Sequence, residues 1–176
     1  LVIIPEYKMA DESSKKSGLK LFTSTIRRGS PDYLDPKLNC HSKLHEVQAL
    51  VQAIEAGADE ALMLDINGFV STCNSTNFFM VKDGMVITST DQYCMNGITR
   101  QKIIDLCVEN NMPVVERNFS LYDVYDADEC FVTGTFAGIS PVISIDGRTI
   151  ENKSNNEISE TLSILYKKLI SDYVRK

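Results

Sequence analysis

The chain has 176 residues, 43% of them hydrophobic and 24% charged, with a formal net charge of −6 at pH 7. This length and composition indicate one globular domain with a substantial core and exclude a disordered or fibrous protein. The acidic balance and the dispersed Lys and Arg argue against a nucleic-acid or membrane partner, because both need a basic face.

The five cysteines are scattered, and none forms a Cys-x-x-Cys motif. This spacing predicts neither a disulfide framework nor a structural zinc site and is typical of a reducing, cytoplasmic compartment. His41 and His45 are four residues apart, but no third ligand accompanies them, so no metal site is predicted. No apolar stretch approaches the roughly 20 residues that span a bilayer, and no signal-like segment opens the sequence.

The N-terminal third predicts two strands, a loop and a helix. Residues 1–5 form a strand-like run, residues 9–18 a polar surface loop, and residues 19–26 a strand in which apolar and polar residues alternate. From 43 to 56 apolar residues recur at helical spacing, and Gly57 follows where a left-handed C-cap is needed.

The middle of the chain predicts four short strands and two hairpin turns. The strands cover residues 61–65, 69–72, 76–81 and 85–88, and the turn signals are Asn67-Gly68 and Asp83-Gly84. We therefore expect an antiparallel meander there.

The last part of the chain predicts two helices and three strands. The first helix covers 99–110 and stops before Pro113, and its expected inward residues are Ile103, Ile104, Cys107 and Val108. Strands follow at 114–115, 129–133 and 141–145, the last closed by Asp146-Gly147. Ser154 is the predicted N-cap of a terminal amphipathic helix. Mixed helices and strands without regular alternation predict an α+β fold rather than a doubly wound dinucleotide fold.

Several charged residues are expected to be structural. Arg27 and Arg28 stand beside a strand and are interpreted as a solvated pair rather than an anion site. The side chains of Asp59-Glu60 and Asp128-Glu129 diverge if each pair lies on a strand. These four carboxylates are therefore expected at turns and edges and not as a general acid/base pair.

Two turns are candidate phosphate sites. Residues 96–100 place Gly97 and then Thr99 at the start of a predicted helix, where the first amides have no internal partners and attract an anion. A plain glycine turn with a threonine cap explains the same residues without a ligand. A second turn, Gly134-Thr135, ends a predicted strand and can offer further amides and a hydroxyl to the same anion.

Together and in order, these elements resemble the class IV aminotransferase family, which includes branched-chain and D-amino acid aminotransferases and aminodeoxychorismate lyase. The resemblance lies in seven ordered blocks: Gly57-Ala58-Asp59-Glu60-Ala61-Leu62 with Leu64-Asp65, Gly68-Phe69-Val70, Asn77-Phe78-Phe79, Gly84 with Thr88, Gly97-Ile98-Thr99-Arg100, Asp128-Glu129, and Gly134-Thr135 with Pro141-Val142. It implies the large C-terminal domain of the D-amino acid aminotransferase-like fold, an antiparallel-rich sheet or pseudo-barrel with flanking helices.

The resemblance also implies a division of the chain. Residues 1–30 would be the end of, or the linker from, a missing N-terminal domain together with the first strand. Residues 31–176 would be the domain that binds pyridoxal 5'-phosphate (PLP). In the family the N-terminal domain contributes an arginine to the phosphate site and part of the substrate pocket, and the proteins are homodimers.

The resemblance implies PLP with its phosphate on Ile98, Thr99 and Thr135, beside Gly97 and Gly134, and an amino acid and its 2-oxo acid as the substrates. The amine that forms a Schiff base with PLP in the family falls at about Asn39, within one residue, and Asn cannot form an imine. Two lysines flank this position, Lys37 and Lys43, and Lys43, about one helical turn later, is the candidate amine.

A second departure concerns the partner of the pyridine nitrogen. The family has Glu where this chain has Thr72, and a threonine hydroxyl cannot hold the ring nitrogen protonated, so a weaker electron sink is expected. Three interpretations stay open. They are a PLP-dependent aminotransferase or lyase with Lys43, Asn39 and Thr72 at its centre, a non-catalytic homologue that acts as a binding or assembly subunit, and a fragment that is inert without its N-terminal half.

Overall fold

The computed structural model describes residues 18–32, 34–150 and 157–174, and within these ranges one nine-stranded sheet carries four helices. The helices are α1 (Leu44–Glu55), α2 (Ile98–Glu109), α3 (Leu121–Tyr125) and α4 (Glu157–Val174). The strands are β1 (Leu19–Thr23), β2 (Glu60–Leu64), β3 (Val70–Cys73), β4 (Asn77–Lys82), β5 (Met85–Thr88), β6 (Val114–Glu116), β7 (Glu129–Gly134), β8 (Gly138–Ile145) and β9 (Arg148–Thr149). The α+β class predicted from the sequence is confirmed.

The strand order in the sheet is β3-β2-β1-β8-β7-β4-β5-β6, with β9 on β8. Strand β1 is parallel to both of its neighbours, and β5 is parallel to β6, while the other ladders are antiparallel. The two predicted hairpins, β2-β3 and β4-β5, are both present. The predicted meander is wrong, because β4 pairs with β7 and not with β3.

The sheet curls until its two edges approach each other. The amide of Val70, in the edge strand β3, donates to the carbonyl of Phe119 at 2.9 Å, and Phe119 lies just beyond the opposite edge strand β6. The half-barrel so formed encloses an apolar core, which includes Leu62, Phe78, Val132 and Ile145. Strand ends from both halves of the sheet are thereby brought close together.

Helices cover the outer face of the half-barrel. Helices α2 and α4 pack over β4 and β7, where the rings of Phe79 and Phe131 stack with centroids 5.0 Å apart. Helix α1 packs on β2 through its small residues Ala49 and Ala53. Among the helices of the described ranges, none is long and apolar enough to cross a bilayer.

The predicted helices are present with small changes at their ends. Helix α1 ends one residue before the predicted end, and Gly57 has the expected positive φ of 76°. Val108 of α2 was expected to face inward, but it is exposed because its side of the helix points to solvent. Helix α3 was not predicted, although Ser120 and Asp123 form a capping box at its start. The predicted strand at 1–5, the loop up to residue 17 and Ser154 lie outside the described residues.

Three charged residues are more buried than expected. Arg28 is buried and pairs with Glu46, with Nη1 and Oε1 2.5 Å apart, so its interpretation as a solvated side chain is wrong. Glu60 and Glu129 are also buried, whereas Asp59 and Asp128 accept backbone N–H groups at turns. Adjacent carboxylates on a strand do diverge, but one member of each pair points into the protein.

Candidate functional site

The two predicted phosphate turns lie against two consecutive residues at the start of β4, Gly97 against Asn77 and Gly134 against Thr76. A Cβ atom on Gly97 would overlap Oδ1 of Asn77, and a Cβ atom on Gly134 would lie 3.3 Å from Cγ2 of Thr76. Asn77 also faces Thr133 across the β4-β7 ladder. The turn before α2 and the end of β7 therefore converge, which the sequence alone could not establish.

The side chain of Asn77 links three segments of the site. Its Nδ2 donates to the carbonyl of Met95 at 3.0 Å and lies 3.4 Å from Oγ1 of Thr72. The buried Thr72 hydroxyl donates its own hydrogen to the carbonyl of Thr76 at 2.8 Å. In this arrangement Thr72 can present only an oxygen lone pair to a further group.

Glu60 fixes the segment that precedes β4. Its Oε1 accepts hydrogen bonds from the amide of Ser75 at 3.1 Å, from the Ser75 hydroxyl at 2.8 Å and from the Thr76 hydroxyl at 2.9 Å. Burial raises the pKa of this carboxyl group, although these hydrogen bonds oppose the rise. Glu60 thus positions Thr76, the residue on which Gly134 packs.

A small open cleft lies beside these residues, lined among others by Lys43, Thr72, Asn77 and Met95. Lys43 is the N-cap residue of α1, and its side chain is exposed. The cleft therefore brings the candidate amine and the candidate ring-nitrogen partner together.

The loop before α1 places the other predicted residues differently. Asn39 and Lys37 are exposed, and Leu38 is the residue between them that lines the cleft. Arg28 holds this loop, because its Nη2 donates to the carbonyl of Pro36 at 3.0 Å while its Nη1 binds Glu46 of α1.

The N-terminus of α2 presents amides without a side-chain cap. Gly97 is the N-cap residue in an extended conformation, with φ −63° and ψ 142°. Ile98 is 81% exposed, whereas Thr99 is buried and its hydroxyl lies 3.5 Å from the hydroxyl of Tyr166 in α4. The Thr99 hydroxyl therefore points toward α4. The groups that α2 offers at the turn are the backbone amides of its first residues, which have no side-chain cap.

An ion pair between the buried Arg100 and the exposed Glu116 fixes the first turn of α2. Nη2 of Arg100 lies 2.6 Å from Oε2 of Glu116 and donates to the carbonyl of Ser89 at 2.7 Å. Its Nη1 donates to Asn96, which precedes the cap residue. Arg100, which is itself part of the predicted turn at residues 96–100, thus fixes that turn through these contacts.

The end of β7 holds the last predicted phosphate residue. Thr135 is exposed just beyond the end of β7, two residues after Thr133, whose buried hydroxyl has no hydrogen-bond partner. Within the described ranges, no cluster of three or more His, Cys, Asp or Glu side chains has the geometry of a metal site.

The chain belongs to the class IV aminotransferase family, since the family profile "Amino-transferase class IV" matches residues 1–145. It is 39% identical over 172 residues to branched-chain-amino-acid aminotransferase-like protein 1 of Arabidopsis thaliana, covering 98% of this chain and 31% of that protein. It is 42% identical over 153 residues to a putative branched-chain-amino-acid aminotransferase of Methanocaldococcus jannaschii, covering 86% of this chain and 53% of that protein.

Solved structures of branched-chain amino acid aminotransferases resemble this chain in fold. A branched-chain amino acid aminotransferase of the organism abbreviated T.th., with pyridoxamine 5'-phosphate, superimposes with a TM-score of 0.84 at 30% identity, covering 89% of this chain and 53% of that one. The Escherichia coli branched-chain amino acid aminotransferase gives 0.83 at 30% identity, covering 86% and 52%. The chain thus spans about half of these proteins or less, and it matches the family in sequence and in fold.

Sequence reasoning missed the roles of Asn77 and Glu60. Both residues lie in sequence blocks that carry the family resemblance, and that position was the feature that could have indicated a role for them in the site. Their roles depend on tertiary contacts that residue patterns do not reveal, such as Asn77 with Met95, 18 residues apart, and Glu60 with Ser75, 15 residues apart.

Proposed function

We propose that this chain is the PLP-binding large domain of a class IV aminotransferase that acts on an amino acid and its 2-oxo acid. The observation that carries the proposal is the convergence of the turns at Gly97 and Gly134 on Thr76 and Asn77. Branched-chain amino acids are the first candidate substrates, since the relatives from Arabidopsis thaliana and Methanocaldococcus jannaschii are branched-chain aminotransferases or proteins like them.

The residues at the convergence fit a phosphate group. Gly97 has no Cβ, and a Cβ there would fill the space next to Asn77, so the backbone can approach an anion closely. The amides of Ile98 and Thr99 stand at the positive end of the α2 dipole, and Thr135 at the end of β7 adds an exposed hydroxyl. These groups would hold the phosphate of PLP.

The residues that line the cleft support the catalytic roles in this proposal. Bound PLP supplies an electron sink for the negative charge left when the substrate loses its α-proton. Lys43, which lines the same cleft as Thr72, is the amine in this proposal and would carry the proton to and from the substrate carbon. Because Thr72 donates to Thr76, it would accept from a protonated ring nitrogen and would hold that proton less firmly than a carboxylate.

A second candidate function is a non-catalytic binding or assembly subunit. The observation that favours it is Asn39, which occupies the position counted for the family lysine, is exposed and cannot form an imine. In this alternative the phosphate site persists and Lys43 stays a solvated lysine at the start of α1.

One labelling experiment distinguishes the two candidates. The purified chain is mixed with PLP, its visible spectrum is recorded, and after borohydride reduction the labelled peptide is mapped. A label on Lys43 that is lost in Lys43→Ala supports the aminotransferase, and bound PLP without any label supports the binding subunit. A label on Lys37 would show that the position assigned to the family lysine is wrong, and failure to bind PLP would overturn both candidates.

Replacement of Asn39 by Lys is the matched gain-of-function variant. If Asn39 occupies the position of the family lysine, Asn39→Lys acquires a covalent label that the parent chain lacks at this residue. The variant should be combined with Lys43→Ala, so that only one of the two amines can react.

We also propose that the protein is a cytoplasmic homodimer whose substrate pocket is completed by an N-terminal domain. Five free thiols, four of them buried, support a reducing compartment. The coverage of about half of the relatives supports the further domain. Dimerisation is supported by an exposed apolar surface on α1.

A further inference from the structure

Tyr166 of helix α4 contacts both elements of the proposed phosphate site. Its hydroxyl lies 3.5 Å from the hydroxyl of Thr99 in the first turn of α2, and either group can donate. Its ring covers Gly138, because a Cβ atom on that glycine would lie 3.1 Å from Cδ1 and Cε1 of Tyr166. One half-buried side chain therefore bridges the start of α2 and the start of β8.

Gly138 belongs to the same turn as Thr135. It pairs with Gly134 in the β7-β8 ladder, so these two glycines close the turn at residues 135–137. Gly138 also has a positive φ of 68°, a conformation that residues other than glycine adopt at a cost. The ring of Tyr166 packs directly on this glycine and thereby limits how far the turn can move toward α4.

The hydroxyl of Tyr166 does more than packing requires. The ring packs against the apolar residues between α2, α4 and the sheet, which include Ile103 and Leu162. A phenylalanine would make the same apolar contacts, whereas the hydroxyl of a tyrosine needs a polar partner when it leaves water. It has that partner in Thr99, which is 5% exposed. The contact therefore specifies the position of Thr99 relative to α4.

We propose that Tyr166 is a positioning residue of the phosphate site, a role that rests on the proposed function. Tyr166 fixes the first turn of α2 and the β7-β8 turn at one spacing. A phosphate held by the amides of Ile98 and Thr99 and by the hydroxyl of Thr135 needs both elements in place at once. Any freedom of either element is lost on binding at a cost in affinity, so a site whose two sides are already fixed binds the anion more tightly.

Helix α4 is a fixed support for this role. Its start is anchored on β7, where the buried carboxylate of Glu129 accepts the amide of Ser159, and Tyr166 lies about two helical turns further along. The family profile matches residues 1–145, whereas α4 covers Glu157–Val174. The role of Tyr166 thus lies outside the part of the chain that carries the profile match.

The test is the affinity of the purified chain for PLP and for inorganic phosphate, measured by titration calorimetry. Tyr166→Phe keeps the ring and removes the hydroxyl, and we expect it to weaken the binding of both ligands about fivefold with little change in melting temperature. Tyr173→Phe is the matched control, because Tyr173 is an exposed tyrosine on the same helix. This control should bind both ligands as the wild type does.

Substitutions of Thr99 show whether the effect passes through that residue. Thr99→Ser keeps the hydroxyl and is expected to retain most of the affinity. In a Thr99→Val background, Tyr166→Phe should cause no further loss, since the contact between the two hydroxyls is already broken. The same loss from Tyr166→Phe in both backgrounds, or a loss in Thr99→Ser as large as in Thr99→Val, would overturn the contact with Thr99 as the cause.

The absorbance of tyrosine gives a readout that packing alone would not change. The chain has seven tyrosines and no tryptophan, so its near-ultraviolet difference spectrum on addition of inorganic phosphate reports on tyrosines. If Thr99 transmits binding to Tyr166, part of this tyrosine signal is lost in Tyr166→Phe and is kept in Tyr173→Phe.

The outcomes separate this role from the proposed function. Weaker binding and a smaller tyrosine signal in Tyr166→Phe, with an unchanged melting temperature, support the role. Wild-type affinity in Tyr166→Phe, with or without a lower melting temperature, overturns it and leaves the phosphate site standing, as does an equal loss of affinity in Tyr173→Phe. A wild-type chain that binds neither PLP nor inorganic phosphate overturns the proposed function as well.

Discussion

At the scale of single residues, the geometry of the candidate site depends on Asn77. Its side-chain amide joins Met95, Thr72 and the space above Gly97. A residue with these three contacts determines where the N-terminus of α2 stands relative to β3.

Replacing Gly97 by Ala tests this arrangement, because the new Cβ would displace the Asn77 side chain. We expect the affinity for PLP and for inorganic phosphate to fall about tenfold, which corresponds to about 1.4 kcal/mol of binding free energy. The melting temperature should change little, since the substitution lies at a helix start and leaves the core intact. Titration calorimetry of both ligands measures the effect.

The control is the same substitution in an Asn77→Ala background. There the Cβ of residue 97 has room, so the additional loss caused by Gly97→Ala should be much smaller. Equal losses in the two backgrounds, or full affinity in Gly97→Ala, would contradict the proposed contact.

At the scale of elements, the carboxylate of a strand residue caps the N-terminus of helix α4. Glu129 of β7 accepts the amide of Ile158 at 3.2 Å with Oε1 and the amide of Ser159 at 3.0 Å with Oε2. The side chain is buried, so it satisfies two helix N-terminal amides and meets the positive end of the helix dipole away from solvent.

Loss of this contact should destabilise the protein. We expect Glu129→Ala to lower the free energy of unfolding by about 2–4 kcal/mol, because two buried amides lose their acceptors and a cavity is left. Glu129→Gln keeps one acceptor oxygen and should cost less than the alanine variant. Urea unfolding gives both values, and faster hydrogen exchange at Ile158 and Ser159 would locate the effect. An alanine variant as stable as the wild type would show that α4 is held by its apolar face alone.

The elements also show which information the sequence carried. Residue periodicity predicted α1 and α2 to within about one residue at each end, and Gly-containing turns predicted both hairpins. Periodicity did not reveal that the large residues of α1 face outward, because it gives relative positions around a helix and not the direction of the core. It also missed the five-residue helix α3, since one turn and a half is too short for a periodic signal.

Strand pairing was the least predictable part of the fold. Turn signals establish that adjacent strands pair, but they contain no information on which distant strand lies on the other side. For this reason the β4-β7 ladder and the parallel contacts of β1 were not predicted. The geometry of the candidate site could not be predicted for the same reason, since the contact between Gly97 and Asn77 arises only after β4, β7 and α2 are assembled.

At the scale of the whole molecule, one carboxylate connects the first described strand to the last part of the sheet. Asp146, in the β8-β9 turn, accepts the amide and the hydroxyl of Thr23, both at 2.6 Å. Its Oδ2 also accepts the hydroxyl of Tyr125 in α3 at 2.7 Å. Segments separated by 123 residues are thereby joined at one point, beside the β1-β8 ladder inside the sheet.

Asp146→Asn should loosen this junction. The amide keeps one acceptor oxygen and tolerates the positive φ of 54°, so the turn itself is preserved. The negative charge that receives three hydrogen bonds is lost, and we expect the free energy of unfolding to fall by about 1–3 kcal/mol. Urea unfolding at neutral pH measures this change, and wild-type stability in the variant would show that the junction contributes little.

The same variant has a second signature in the titration of Tyr125. Burial, and then the hydrogen bond to Asp146 and its charge, raise the pKa of Tyr125 from 10.0 to about 12. Because this pKa is higher in the folded than in the unfolded chain, the associated stability is complete below pH 10 and is lost as the pH rises toward 12. In Asp146→Asn the phenolate no longer faces a carboxylate, so its absorbance should appear at lower pH and the alkaline loss of stability should be smaller. An unchanged titration would mean that burial alone raises the pKa of Tyr125, and the junction would then lack electrostatic coupling between Asp146 and α3.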